Sequence, residues 1–304
     1  MRLVECVPNF SEGRRPEVVA AIRDAIGATP GAYLLDVHAD AWHNRSVVTF
    51  VASPEAAVDA AFAGIAAAAA RVDLTLHTGV HPRLGAADVV PFVPLADHGT
   101  TMDECVALAR TLGARVGREL EVPVYLYERA ATRPDRVNLA DVRRGGFEAL
   151  RAAAGGEPAR HPDFGPPAPH PTAGACAIGA RDFLVAYNVH LGPAANLGVA
   201  RAVARAVRAS SGGLPHVKAL ALEVDGQAQL SMNLVDVDRT PLLAVYERVE
   251  REAVARGVAP TWSELVGLLP ERALDAAGAQ RVGLRDFGPH RILERRIRDA
   301  VTVG

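Results

Sequence analysis

The sequence predicts an α+β fold in which one order of elements (strand, helix, strand, strand, helix, strand) occurs twice. Three observations carry the prediction. Short β-branched or aromatic runs alternate with segments of helical periodicity in both halves, and paired strands are joined by short polar connections. A Pro- and Gly-rich stretch, residues 155–174, separates the halves and cannot hold a helix. At 304 residues the chain is about twice the usual domain of about 150, so two domains fit its length.

Taken in order, residues 3–7 open as a strand, and Pro8-Asn9-Phe10-Ser11-Glu12-Gly13 follows as a loop of turn formers. Val18, Val19, Ile22 and Ile26 fall at helical spacing behind Pro16, which is pre-set for a first turn, so residues 16–26 are predicted helical. Residues 33–37 and 47–51 read as paired strands across a polar connection. Ser53-Pro54-Glu55 starts an alanine-rich helix to about residue 71, and residues 89–93 form the next strand. This is the split βαβ order of the ferredoxin-like class. A helix over 102–120 and a strand over 122–127 extend it. The second half repeats the pattern with strands at 183–190, 217–224, 229–237 and 265–269 and helices at 194–208 and 242–256. The first domain is placed at residues 1–175 and the second at 176–304. Residues 155–174 read either as a functional connection over a cleft between them or as a surface linker. Residues 291–301 are predicted as a short charged helix that only covers the surface.

The chain is 49% hydrophobic, 22% charged and 5% aromatic, with a formal net charge of -2. That composition builds an aliphatic core and offers no cationic surface for nucleic acid. Glu5 and Pro8 interrupt the apolar run that a signal peptide needs, and residues 60–70 are half of the about 20 needed to span a bilayer. The expectation is therefore a protein without a membrane segment, in the cytoplasm. Cys6, Cys105 and Cys176 are odd in number and far apart, which points away from disulfides and cysteine-rich zinc sites. Lys218 is the only lysine, so the positive charge is almost entirely arginine.

The sharpest constellation is His77-Thr78-Gly79-Val80-His81-Pro82-Arg83-Leu84-Gly85. Two imidazoles four apart can bind a metal from one helix face, but Gly79 and Pro82 oppose a helix and no H-E-x-x-H glutamate is present, so no metal is expected. The other readings are a rigid loop in which His81 does acid–base work beside an Arg83 carboxylate clamp, or a loop that His81 and Arg83 merely tie down. Asp36, His38, Asp40, Asn44, Arg45 and Asn9 gather at one sheet end if the strands pair. P-loop, G-x-G-x-x-G and G-x-S-x-G motifs are absent.

Residues 3–13, with His81-Pro82-Arg83-Leu84-Gly85-Ala86-Ala87-Asp88-Val89-Val90-Pro91-Phe92, Met102-Asp103-Glu104-Cys105, Val122-Pro123-Val124-Tyr125-Leu126-Tyr127 and Pro162-Asp163-Phe164-Gly165-Pro166, resemble the glutamate formimidoyltransferase family. Asn233-Leu234-Val235-Asp236 and residues 264–270 continue the likeness. The resemblance implies a tandem pair of ferredoxin-like subdomains with mixed or antiparallel sheets and a cleft between them, without a cyclodeaminase portion. It implies a homodimer that moves a formimino group from N-formimino-L-glutamate to N5 of tetrahydrofolate in histidine degradation, with no metal. It maps the catalytic residue onto His81, and folate contacts onto Asp163, Phe164, Gly165, Pro166, Pro167, Ala168, Pro169, His170, Pro171 and Thr172. Arg45 and Arg83 suit the substrate carboxylates, and Asn9 and His38 are expected beside them.

Two positions depart from the family pattern. His38 stands where many members carry an acidic residue, so a carboxylate partner for His81 falls to Asp36 or Asp40, or His38 takes another role. The 163–172 stretch lacks the family's aromatic and serine residues. The alternatives are a related formimino or formyl transfer, a 5-formyltetrahydrofolate-processing enzyme, a non-catalytic folate-binding protein, or a metal hydrolase using His77 and His81.

Overall fold

In a computed structural model, which describes residues 1–153 and 156–303, the chain divides into two compact units, Met1–Arg181 and Asp182–Gly304. Gly155, the first residue of the expected connection, and Gly304 lie outside the described residues.

The first strand is interrupted. β1 (Val4–Cys6) and β2 (Asn9–Phe10) flank Pro8 and pair with the same two neighbours on either side. Proline lacks an N–H but keeps the chain extended, so pairing resumes at Asn9 where a loop was expected. Phe10 is fully buried, which rewards that return. α1 (Pro16–Gly27) begins at its proline and buries Val18, Val19, Ile22 and Ile26, as the spacing predicts. β3 (Ala32–Asp40) and β4 (Arg45–Ala52) form a hairpin longer than expected that takes in His38. α2 (Pro54–Ala69) is capped by the Ser53 hydroxyl on the Ala56 N–H, and β5 (Ala87–Pro94) follows it in the sheet. α3 (Met102–Glu119) starts with a capping box between Thr101 and Glu104.

β6 (Val124–Glu128), the short helices α4 (Leu139–Val142) and α5 (Gly146–Ala153), and β7 (Cys176–Ala180) complete the unit. The sheet has seven strands, antiparallel through β3, β4, β1 with β2, and β5, then parallel through β7 and β6. β7 was not anticipated. Its Cys-Ala-Ile-Gly-Ala sequence has little β propensity, but every residue is buried, and a strand covered on both faces needs no alternation. The division between Arg181 and Asp182 therefore falls after this strand, whereas the expected boundary at 175/176 falls before it.

The second unit contains β8 (Val185–Pro193), α6 (Leu197–Val207), β9 (Val217–Val224), β10 (Gln227–Leu234), α7 (Leu242–Val254), β11 (Trp262–Val266), α8 (Ala276–Arg281) and α9 (Leu293–Val303). Its four strands are antiparallel in the order β11-β8-β10-β9. Val189, Leu230, Leu265, Val203 and Val249 share one core with the tail residue Ile292. The tail is more than a charged cover, because Ile292, Leu293 and Ile297 are all buried.

One junction constrains the first unit closely. Gly85 bridges to Gly174, and a Cβ at Gly85 would stand 1.9 Å from the Ala175 carbonyl oxygen. Gly85→Ala should cost about 3 kcal/mol in urea unfolding, because the obstacle is backbone and cannot rotate away. Gly198→Ala, in open space on α6, should instead be neutral or stabilising by about 0.5 kcal/mol. Equal effects of the two substitutions would contradict this account.

Candidate active site

The first sheet buries Val48, Phe50 and Phe92 against residues of α1, α2 and α3, and the opposite parity carries Glu5, Asn9, Arg45 and Thr49 among valines. Strand register sets His38, Val47, Asn9 and Val89 in one row across β3, β4, β2 and β5. Arg45, two residues before Val47, lies on the same face. The register slips between Asn9 and Phe10, whose partners are Val89 and Ala87. Asp88 is thus the extra residue of a bulge, a device that re-aims a side chain.

Asp88 is fully buried and receives three bonds. Its Oδ1 accepts the Leu84 N–H at 2.7 Å, and its Oδ2 accepts Arg45 Nη1 and Arg143 Nη2, each at 2.6 Å. Arg45 also spans Asn9 Oδ1 with Nε and Nη2, at 3.2 and 2.9 Å. Burial disfavours the charged Asp88, yet the Arg143 and Arg45 guanidiniums outweigh it and hold the carboxyl below its ordinary range.

His81 sits beside this cluster, half-buried. Its Nδ1 lies 2.8 Å from the Pro82 carbonyl oxygen, which can only accept, so the ring proton is assigned to Nδ1 and Nε2 keeps its lone pair. Arg143 Nη2 also donates to that carbonyl and lies 3.5 Å from Nδ1. Burial, then Arg45, then Arg143 push the imidazole pKa well below the usual value. The orienting group is therefore a backbone carbonyl. Asp40, one of the carboxylates expected to serve, is bonded instead to His43 Nδ1 at 3.0 Å. Although burial opposes it, that bond and backbone N–H groups bring the Asp40 carboxyl down to about 2.

Residues 77–84 form an irregular loop, as Gly79 and Pro82 predict. Asn44 holds it: its side chain donates to the Thr78 carbonyl and accepts the Gly13 N–H, each at 3.0 Å. His77 Nε2 donates to the Asn44 carbonyl at 3.0 Å. The two loop imidazoles thus turn to different carbonyls, and among the described residues no group of three or more His, Cys, Asp or Glu gathers to hold a metal. Arg83 meets the Glu148 carboxylate at 2.7 Å and the His77 carbonyl at 3.2 Å. The carboxylate in its fork is one of this chain's own.

The 163–172 stretch is anchored at both ends. Asp163 Oδ2 accepts the Leu126 N–H at 2.8 Å, Arg136 and Thr132 also donate to that carboxylate, and Phe164 packs on Gly113 and Gly117 of α3. At the far end His170 Nδ1 accepts the Ala173 N–H at 3.0 Å, and the Thr172 carbonyl accepts the Leu74 N–H at 2.9 Å. Backbone bonds from Ala86 to Ala173 and from Ala175 to Leu84 set this end beside the chain that leaves His81. Pro167 and Ala168, between the anchors, are exposed.

Asp88, Arg143 and Glu148 escaped sequence reasoning as site residues. A carboxylate entering a buried strand was the one usable signal for Asp88. The second unit has a polar group of its own on β8, β10 and β11: Asn188 and Gln229 donate to Glu264 at 3.0 and 3.3 Å, and His190 stacks on Trp262 at 3.6 Å.

Residues 3–181 match the model of the formiminotransferase domain, N-terminal subdomain, and residues 186–284 match that of the formiminotransferase domain. The chain is 51% identical over 307 residues to glutamate formimidoyltransferase of Thermoplasma acidophilum, covering 100% of both chains. It is 41% identical to glutamate formimidoyltransferase of Streptococcus pyogenes serotype M1, covering 97% of this chain and 99% of that one. It is 46% identical to formimidoyltransferase-cyclodeaminase of Gallus gallus, covering 91% of this chain and 52% of that one.

Asp88→Asn should destabilise the fold by about 3–5 kcal/mol, because it leaves two guanidiniums against a neutral amide. Adding Arg143→Gln should recover part of that loss, which a double-mutant cycle in urea measures. Strict additivity would separate the two residues energetically.

Proposed function

The chain belongs to the formiminotransferase family, and on that footing we propose that it moves the formimino group of N-formimino-L-glutamate to N5 of tetrahydrofolate, a step of histidine degradation, with His81 as the acid–base catalyst. What carries the catalytic assignment is the His81 ring, held by the Pro82 carbonyl with its Nε2 unpaired among the described residues.

Tetrahydrofolate supplies the N5 amine. His81 Nε2 removes the N5 proton as the new carbon–nitrogen bond forms, and returns it to the glutamate nitrogen as the old one breaks. One N–H is lost and one gained, so glutamate leaves as a neutral amine and His81 ends as it began. Imidazole relays of this kind are worth about 10²–10⁴-fold. Burial and the neighbouring guanidiniums favour the neutral base and make the protonated ring a ready donor.

Residues 163–172 are the proposed folate contact: Asp163, Phe164 and Gly165 fasten one end, residues 166–169 are presented, and His170, Pro171 and Thr172 hold the other end near the His81 loop. Asn9, His38, Arg45 and Arg83 are proposed on the substrate side, Asn9 and Arg45 through their bond to one another and Arg83 through its hold on the loop. The strand orders β3-β4-β1/β2-β5 and β11-β8-β10-β9 support the ferredoxin-like reading of both units. A cytoplasmic homodimer belongs to the same proposal; the free, buried Cys6, Cys105 and Cys176 suit a reducing compartment, and light scattering tests the dimer.

His81→Gln should fold normally and lose about 10²–10⁴-fold in kcat for glutamate release from formiminoglutamate with tetrahydrofolate. Undiminished turnover in a folded variant would remove the catalytic role. In the parent, kcat/KM should stay level as pH falls through the ordinary imidazole value of about 6.5 and drop only below it, since burial, then Arg45 and Arg143, oppose protonation more than the Pro82 carbonyl and Asp88 favour it. An acid limb at or above pH 6.5 would contradict that balance.

A further inference from the structure

We propose that Arg143 binds the α-carboxylate of the formimino donor, and that this contact sets the leaving nitrogen against His81. The inference rests on the transfer reaction proposed above and adds the group that recognises the donor.

Arg143 follows α4 and is fixed along one side only. Its Nη2 donates to Asp88 Oδ2 at 2.6 Å and to the Pro82 carbonyl. Its Nε is buried and has no partner among the described residues. A buried guanidinium N–H without an acceptor bears the full desolvation penalty, and because the Arg143 side chain is not fully enclosed, a carboxylate reaching this edge would relieve it through charge-assisted bonds.

The charges point the same way. Asp88 is the only carboxylate paired with either Arg45 or Arg143 among the described residues, so one negative charge is shared between two guanidiniums. A single anion completes the cluster. Arg45 is the poorer candidate, because its Nε and both Nη atoms are already bonded to Asn9 and Asp88. Arg83 also has a buried, unpaired Nε, but its charge is met by Glu148.

The donor's own chemistry selects the α-carboxylate. The nitrogen released in the transfer and the α-carboxylate are attached to the same carbon, so the groups that hold them must be close neighbours. Arg143 Nη2 lies 3.5 Å from Nδ1 of the same His81 ring whose Nε2 meets the leaving nitrogen, which places the two groups side by side. The γ-carboxylate lies two methylenes further out and requires another cation.

The test compares three donors with tetrahydrofolate on the full chain: formiminoglutamate, N-formimino-4-aminobutyrate, which lacks the α-carboxylate, and N-formimino-2-aminobutyrate, which lacks the γ-carboxylate. The parent should lose roughly 10- to 150-fold in kcat/KM when the α-carboxylate is removed. Arg143→Lys and Arg143→Gln should lose a similar factor on formiminoglutamate, mostly in KM, and little more on the 4-aminobutyrate donor, while the KM for tetrahydrofolate stays put. Equal losses on donors with and without the α-carboxylate would overturn the assignment to Arg143. If the variants do not fold, the parent alone decides: full activity on the 4-aminobutyrate donor would overturn it. Failure of the folded parent to turn over formiminoglutamate would instead sink the proposed reaction.

Discussion

Asp88 keeps its charge inside the protein because two guanidiniums and one backbone N–H converge on it, and that convergence joins distant parts of the chain. Arg45 and Arg143 come from 43 and 55 residues away, one at the start of a strand and the other beyond a short helix. A buried carboxylate needs such partners, since desolvation of an unpaired ion exceeds what a domain can bear. The same grouping leaves positive charge next to His81. Stability and the proposed chemistry are therefore linked: the guanidiniums that make Asp88 tolerable add to burial in keeping the imidazole neutral.

Backbone contacts hold the rest of the site. Pro82 offers its carbonyl to both His81 and Arg143, so the geometry of one peptide group sets the ring tautomer and the guanidinium position together. Close approach of the loop to the 170–175 segment depends on glycine. Gly85 has no room for a Cβ, and Gly174 adopts φ +69, a left-handed conformation that side chains resist. Asn44 ties the loop from its other side, itself at φ 47, where asparagine is among the better-tolerated residues. A loop fastened on both sides can present Nε2 without large rearrangement, which suits the acid–base role proposed for His81.

Much of the fold was legible because its signals are local. α1, α2 and α3 announce themselves through spacing, Pro16, Ser53 and the Thr101–Glu104 box, and the hairpin of β3 and β4 through its β-branched runs. β7 was not legible, since Cys-Ala-Ile-Gly-Ala becomes a strand only when β5 and β6 offer edges to it. β2 reads as a loop in the sequence because Pro8 and Asn9 are turn formers. The tail looked like a solvated cover because its charges outnumber Ile292, Leu293 and Ile297, which the second core takes up.

Sequence alone identified the His81 loop, its irregular backbone and the repeated order of elements, because glycine, proline and apolar spacing act over a few residues. It also singled out the 163–172 stretch, although not the way Asp163 is consumed by Leu126, Arg136 and Thr132. Only the tertiary structure decided what each charged side chain meets. It gave Arg83 to Glu148, Asp40 to His43, and Asp88 to Arg45 and Arg143. The reason is physical: an ion pair in a half-buried site depends on which strands and helices are brought together, and on a bulge one residue long, and neither is written in the spacing of any single motif.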